Sequence, residues 1–382
     1  MGATGSQAGL SFTKETVWGE TPSAQFAGIN FVSESMEYKI ENKTSKTIRP
    51  DRQTSDLVQV GAECSGGFSS EFQSGNVDGF LPGFFMDTDW HVESDALTGV
   101  DFAIETGAGV GGIITTASAP NATVGEVITI TGAAQAGNNV RTRVISISGN
   151  DIHVTAPLVT ETSASITMAS TYIRNGVTKS SYSIERENSD VSQFFLYKGM
   201  TPDSMEFALE VDEPAMINLD FVGRFETLEQ TTASTGNPTD PALTPVINSA
   251  DSVGFIKIDN VPVEACIVEK ANIKLGNQVE GKKAVGTLGF CNSNAKSLLL
   301  TGDLEMFFED NTYYDRYLAG TEFSLEIEMS DTAGNTYTIF LPRCKFDTGK
   351  ANVSGKDDDV MESHSFVGLV HGDSGFTIQI TK

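Results

Sequence analysis

Four histidines, four cysteines and fifty-one carboxylates are the raw material for any chemistry in this 382-residue chain. The histidines are His91, His153, His364 and His371. Only the last two are neighbours in sequence, seven residues apart, with Glu362 and Asp373 beside them. A metal site or an acid–base pair needs such groups to converge in space. So sparse a set reads as ordinary surface or core histidine. Asp357-Asp358-Asp359 has the charge for calcium but not the spaced ligands and distal glutamate of a calcium loop, so it reads as a solvated turn. Gly107-Ala108-Gly109-Val110-Gly111-Gly112 imitates a nucleotide-binding glycine pattern. That fingerprint needs a strand before it, a helix after it and an acidic residue downstream. A glycine-rich loop fits better. No GxSxG, HExxH or Walker sequence occurs, and paired carboxylates are uninformative when acidic residues are this abundant. Cys64, Cys266, Cys291 and Cys344 form no CxxC pair and have no histidine at zinc-finger spacing. All four lie in or beside apolar strand-like segments, which predicts buried free thiols. No catalytic residue, no metal site and no cofactor is expected, and the chain is not read as an enzyme.

The elements that would have to position any site are strands. Ser35-Met36-Glu37-Tyr38 and Ser204-Met205-Glu206-Phe207 repeat one signature, each inside a stretch that alternates apolar and polar residues. That period belongs to a half-buried strand. Each is followed by a second alternating stretch, Gly66–Phe72 after the first and Leu219–Phe225 after the second. A third block, Asn272–Leu275 followed by Gly302–Phe308, has the same rhythm without the signature. Further strands are predicted at 57–72, 127–130, 140–147, 152–154, 177–187, 323–329 and 337–341, with a last one at 376–380. A short helix or packed loop is expected at 80–86, a turn or short helix at 194–200, and a helix at 311–318 capped by Asn311 or Thr312. Many short strands separated by turns imply an all-β sandwich or barrel.

Composition narrows the class. Hydrophobic content of 39% with 23 Phe supports a folded chain, and the 37 Gly are scattered rather than periodic. No apolar run approaches the ~20 residues of a membrane helix. The first residues have neither a basic nor an apolar leader region, so no secretory signal is expected. A formal net charge of −26 should repel free nucleic acid and anionic membrane. Solubility explains such a charge; so does a surface that must not stick to a polyanion passing close by.

The chain divides into an N-terminal arm or loop over 1–28, a larger β domain over 29–90 and 172–382, and a small all-β, barrel-like domain inserted at 91–171. The insert is rich in Gly, Ala, Thr, Ile and Val and nearly free of Lys and Phe. Residues 41–56 form a polar loop with a local cluster of positive charge, too long for a tight turn. Loops of this length in compact domains are usually functional or disordered.

In order along the chain, several blocks resemble the tail tube (major tail) proteins of long-tailed bacteriophages. They are Glu15–Pro22, Ser33–Met36, Ile48–Gln53, Val60-Gly61-Ala62, Tyr182–Arg186, Gly199-Met200 with Ser204-Met205, and Leu341-Pro342 with Ser354–Asp358. The resemblance covers most of the chain, and similar family members carry a glycine-rich β insertion where this chain has 91–171. It implies a tail-tube-type β-sandwich that assembles with itself into homohexameric rings, its long hairpins pairing into one barrel around a lumen. Rings would stack into a virion tail tube, made in the host bacterial cytoplasm. Partners would be the tape measure, tail terminator and baseplate proteins. DNA would pass through the lumen without specific binding, and no membrane would be involved. The arm and the 41–56 loop become the reach between subunits. Interface candidates are Trp18, Lys43, Lys46, Arg49, Asp51, Arg52 and Asp56, the cations meeting acidic residues of a neighbour. The rival reading is a carbohydrate- or host-surface-binding β protein with 91–171 as its recognition domain, although that segment offers only Phe102 and, at its border, Tyr172 for stacking on sugars.

Overall fold

A computed structural model describes residues 2, 4–105, 111–250, 252–264, 267–353, 355–356 and 359–382. Gly107 to Val110, Cys266, Asp357 and Asp358, all singled out above, lie outside the described residues. Strands make up 55% of the chain and helices 6%, so the fold is all-β.

In chain order the strands begin with β1 (Ala8–Lys14), β2 (Ala27–Ile29), β3 (Ser33–Glu34), β4 (Glu37–Thr44) and β5 (Leu57–Glu71), followed by helix α1 (Leu81–Phe84). Then come β6 (His91–Ile104), β7 (Gly112–Thr115), β8 (Val127–Thr131), β9 (Arg141–Ser148), β10 (Asp151–Val154) and β11 (Glu161–Arg174). The middle of the chain forms β12 (Tyr182–Asn188), β13 (Gln193–Glu210), β14 (Met216–Gly223) and β15 (Phe225–Glu229). After it follow β16 (Val253–Ile258), β17 (Val261–Pro262), β18 (Val268–Gly276), β19 (Glu280–Lys283), β20 (Phe290–Asn294) and β21 (Leu299–Phe307). Helix α2 (Thr312–Ala319) precedes β22 (Glu322–Ser330), β23 (Thr336–Val353), β24 (Val360–Gly368) and β25 (Gln379–Thr381).

The chain forms two compact units. Unit 1 comprises 1–88, 177–247 and 272–299; unit 2 comprises 89–176, 248–271 and 300–382.

In unit 1, β1 pairs with β2 and β12, β12 with β13, and β13 with β15; β4 pairs with β5, β5 with β14, and β14 with β13. The 18-residue β13 therefore serves both series, and a bulge between Pro202 and Ser204 marks its change of role. The core is aromatic. Phe12 stacks on Phe80 with centroids 3.9 Å apart, and Phe80 also meets Tyr182 and Phe221. The four-residue α1 is buried throughout and sends Phe84 onto Phe221. Gly83 is required there, because a Cβ would come within 2.5 Å of the Tyr182 hydroxyl. Residues 8–14, expected to belong to an arm or loop, are a strand with Leu10 and Phe12 buried. Their alternation is short, and only pairing with β12 reveals it. Residues 194–200, expected as a turn or short helix, lie inside β13. Their apolar run is held between β12 and β15, so both edges are satisfied as strand.

In unit 2, β6, β7, β10, β9, β8 and β11 pair in that order, and β11 returns to β6. This closes a six-strand barrel with no open edge. Its own core holds Val100, Phe102, Ile114, Ile130, Val144, Ile152, Ile166 and Met168. The other series runs β16–β22–β23–β25, with β23 continuing to β24 and β21. β11 extends from the barrel to pair with β25. Arginines from the barrel complete the junction. Arg143 Nε lies 2.9 Å from Glu326, both buried, with its guanidinium 4.0 Å above the Phe340 ring. Arg174 packs between Tyr172 and Phe376 and donates to Gln379. Helix α2 has Asn311 at its N-cap position, one of the two caps expected, but Asp310 rather than the Asn311 side chain accepts the Thr312 N–H. Gly320 ends it in the left-handed conformation.

Candidate assembly interface

The two strands β4 and β5 make the feature of unit 1 that its own fold does not use up. They pair from Glu37 opposite Ser65 to Thr44 opposite Leu57. From Cys64 onward β5 has β14 on its other side, and Ala62 donates to the Leu288 carbonyl. Before that, residues 57–60 have only β4 as a partner. The outer edge of β4 has no partner strand along its length among the described residues. A ribbon with open edges is a ready template for pairing.

Its side chains point the same way. Ile40 is 41% exposed, Leu57 62%, Val58 48% and Val60 46%, and Ile48 at the tip 96%. Apolar surface in water costs about 25 cal/mol per Å², so five such side chains on one arm favour a covering partner. The opposite face of β4 carries Glu37, Lys39, Glu41 and Lys43 in alternating sign. Lys283, at the end of β19, lies 2.9 Å from both Glu41 and Glu63. Its proximity holds the Glu41 carboxyl below the usual range.

The polar loop is 45–56 rather than 41–56, because Glu41 to Thr44 complete β4. Ser45 N–H donates to the Asp56 carbonyl and closes it. Arg49 is held two-pronged by Asp51, Nη2 at 2.7 Å and Nε at 3.0 Å. Arg52 turns the chain with a left-handed φ of 61°. The Asp56 carboxylate accepts from Leu57 N–H.

Of the candidates read from sequence, Arg49 and Asp51 are thus brought together inside the loop. Arg49, read as a candidate to meet an acidic residue of a neighbour, pairs within its own chain with Asp51. Lys43, Lys46 and Arg52 are exposed and make no ion pair among the described residues. Trp18 sits elsewhere in unit 1. Buried Glu15 accepts from Gly19 N–H, Ser181 Oγ, Ser183 Oγ and Gly199 N–H, at 2.6–2.8 Å. That carboxylate folds residues 17–20 into a turn, and Trp18 Nε1 donates to Gly199 O at 3.0 Å. The Arg224 guanidinium covers the indole at 5.3 Å. Gly199 has φ +71°, and a Cβ there would lie 3.1 Å from the indole nitrogen. Trp18 is therefore half-buried and held in place by unit 1 itself. The five exposed apolar residues were the ones sequence reasoning missed. Leu57-Val58-Gln59-Val60 read as strand, but nothing in one sequence says that both faces are bare.

The remaining chemistry is modest. His364 Nε2 lies 2.9 Å from Glu362, both buried, while His371 bonds Ser374. Among the described residues no group of three or more His, Cys, Asp or Glu side chains is placed to hold a metal. Cys64 and Cys344 are buried free thiols, and burial pushes Cys64 up to about 12. Cys291, expected to be buried, is exposed, because β20 pairs only with β19.

A family model described as phage tail tube protein matches residues 5–368. No curated protein matches the chain.

Proposed function

The chain belongs to the phage tail tube protein family, a structural component of the virion tail, and we propose that it builds the tube by edge-to-edge pairing of its β4–β5 ribbon with neighbouring copies. The observation that carries this reading is the ribbon itself, with its open backbone edges and exposed Ile40, Leu57, Val58 and Val60. Pairing would satisfy the backbone groups and cover the aliphatic side chains in one step. Copies joined this way close into a ring of six, the number of chains the resemblance implies, and rings stack into a conduit for the genome. A like-charged lumen lets DNA slide without sticking. Lys43 near the end of β4, and Lys46 and Arg52 in the 45–56 loop, are the cations free to meet acidic groups of a neighbour. Residues 91–171 form an inserted domain on the outside of the tube. Tape measure, tail terminator and baseplate proteins are the other partners, and assembly begins in the host bacterial cytoplasm.

Negative-stain microscopy of the purified full chain across concentrations, with light scattering, tests this. Rings or hollow tubes with a regular axial repeat are expected. A species that stays monomeric at every concentration would count against tube assembly and favour the surface-binding reading.

A further inference from the structure

The two units share one strand order. In unit 1, β1–β12–β13–β15 is one paired series and β4–β5–β14–β13 the other. In unit 2, β16–β22–β23–β25 is one and β21–β24–β23 the other, with β18 pairing to β21. Along the chain the order is also the same: β1, β4, β5, α1, β12, β13, β14, β15 and then β16, β18, β21, α2, β22, β23, β24, β25. The barrel strands interrupt the first set between α1 and β12. The β19–β20 pair interrupts the second between β18 and β21.

The correspondence extends to register. Tyr182, Ile184 and Glu185 face Met200, Tyr197 and Leu196. Phe323, Leu325 and Glu326 face Cys344, Leu341 and Phe340, with the same spacings. The segments read Tyr182-Ser183-Ile184-Glu185-Arg186-Glu187 and Phe323-Ser324-Leu325-Glu326-Ile327-Glu328, and Glu185 and Glu326 are both buried. β13 and β23 are both 18 residues long. Each is bulged at an aspartate, Asp203 in one and Asp347 in the other. Phe221-Val222-Gly223 in β14 and Phe366-Val367-Gly368 in β24 are the same tripeptide. Phe221 faces Pro202, just before one bulge, and Gly66 on its other side. Phe366 faces Phe346, just before the other bulge, and Gly302. Unrelated folds have no reason to share bulge, tripeptide and register together.

One edge differs. The second half of β13 pairs with β18, whose residues 272–276 lie in unit 1. Asn277 N–H donates to Asp203 O at 2.7 Å, and Val279 N–H to the Asp203 carboxylate at 2.6 Å. The counterpart of that edge, residues 347–353 of β23, has β24 on one side and no second partner strand among the described residues. The counterpart of β18 is β4, and its outer edge is open too. Lys39-Ile40-Glu41-Asn42 in β4 lines up in sequence with Lys274-Leu275-Gly276 at the end of β18 and Asn277 just after it.

We propose that this chain carries the tube-forming fold twice, and that the open edge of β4 is completed by residues 347–353 of β23 from a second copy. The pairing repeats what β18 does for β13, with Asn42 donating to the backbone of Asp347 in the neighbour. It is head-to-tail, the kind of contact that builds a ring when its rotation closes. A ring then holds half as many chains as folds; resting on the tube reading proposed above, a ring of six folds holds three chains in place of the six that the resemblance implies.

Two measurements on the full chain test it. The first is cryo-electron microscopy of assembled tubes. A true rotational order half the apparent order is expected, with β4 seated on β23. Rings with as many chains as apparent folds would overturn the duplication while leaving the tube reading intact; no assembly under any condition would overturn both. The second is oxidation of a variant carrying Asn42→Cys and Asp347→Cys in a Cys291→Ser background. Disulfide-linked species ending at three times the 40.8 kDa chain are expected, with each single variant staying uncrosslinked. Efficient crosslinking of Asn42→Cys alone would mean that β4 pairs with β4, which overturns the head-to-tail edge.

Discussion

At the scale of single residues, two buried carboxylates do different work. Glu15 is fully partnered: two backbone N–H groups and two hydroxyls donate to it. Replacing it by alanine strands those donors in a closed site, and Glu15→Ala should cost roughly 2–4 kcal/mol. A lowered melting temperature is expected, with a red shift of Trp18 emission, since the 17–20 turn loses its anchor. An unchanged melting temperature would show that water replaces the carboxylate without loss. Glu126 in the barrel is almost fully buried and has only Thr123 as donor, through N–H and Oγ. Burial pushes its carboxyl above the usual range. The sign follows. A raised folded-state value means that the folded chain holds this proton more tightly than the unfolded chain. Glu126 therefore weakens the fold at neutral pH, and the penalty is relieved as pH falls through its raised value. Wild type should gain stability relative to Glu126→Gln between pH 7 and 5, measured as a difference in melting temperature, so that the general effect of net charge cancels. A constant difference would place the titration outside that window.

At the scale of elements, the β4–β5 ribbon makes a clean separation between folding and assembly. Val58 and Val60 are half-exposed on a segment of β5 with no partner but β4. Exposed substitutions of this kind change stability by about 0.5 kcal/mol or less. Val58→Asp with Val60→Asp should therefore leave the melting temperature nearly unchanged and abolish tubes, because it places two charges where a neighbour must desolvate them. Tubes of normal length from this variant would show that the ribbon is not the joint. The ribbon also marks how far one sequence could be read. Its strands, the 312–319 helix and the barrel-like character of 91–171 were all visible as alternation, capping residues and turn signals. The repeated ribbons were visible too: each of the three is a paired couple, β4–β5, β13–β14 and β18–β21. Ser35-Met36-Glu37-Tyr38 leads into β4, whereas Ser204-Met205-Glu206-Phe207 lies in β13, and the two strands are not counterparts. On the proposed duplication the counterparts of 35–38 and 66–72 are 270–273 and 302–308, which share little identity. A fold conserves which face is apolar and where a bulge falls; it does not conserve letters. The loop cations were legible as charge, but the Arg49–Asp51 pairing was not, because spacing alone does not fix which way an exposed side chain turns.

At the scale of the whole molecule, the charge of −26 opposes the assembly that the edges favour. Each added copy brings like charge close to like charge, whereas the unpaired cations of the ribbon, Lys43, Lys46 and Arg52, are few and exposed. Exposed ion pairs are worth at most about 1 kcal/mol each, so net repulsion should outweigh them. Salt decides between the two effects, because it screens both over a Debye length that shrinks from about 30 Å at 0.01 M to about 8 Å at 0.15 M. If repulsion dominates, raising salt across that range lowers the concentration at which tubes appear. If the loop cations dominate by meeting acidic partners, the same change raises it. The first outcome is expected, read by light scattering at fixed temperature and pH. A charge-neutralising series on the ribbon, Lys43→Gln, Lys46→Gln and Arg52→Gln, sharpens the comparison: it should shift the threshold only slightly. The same electrostatics bear on the cargo. Tubes mixed with double-stranded DNA should fail to retain it at 0.15 M salt, since binding requires basic groups that release counterions from the phosphates. Retention that weakens steeply with added salt would instead reveal a basic track along the lumen, and a wall built to hold DNA rather than to let it slide.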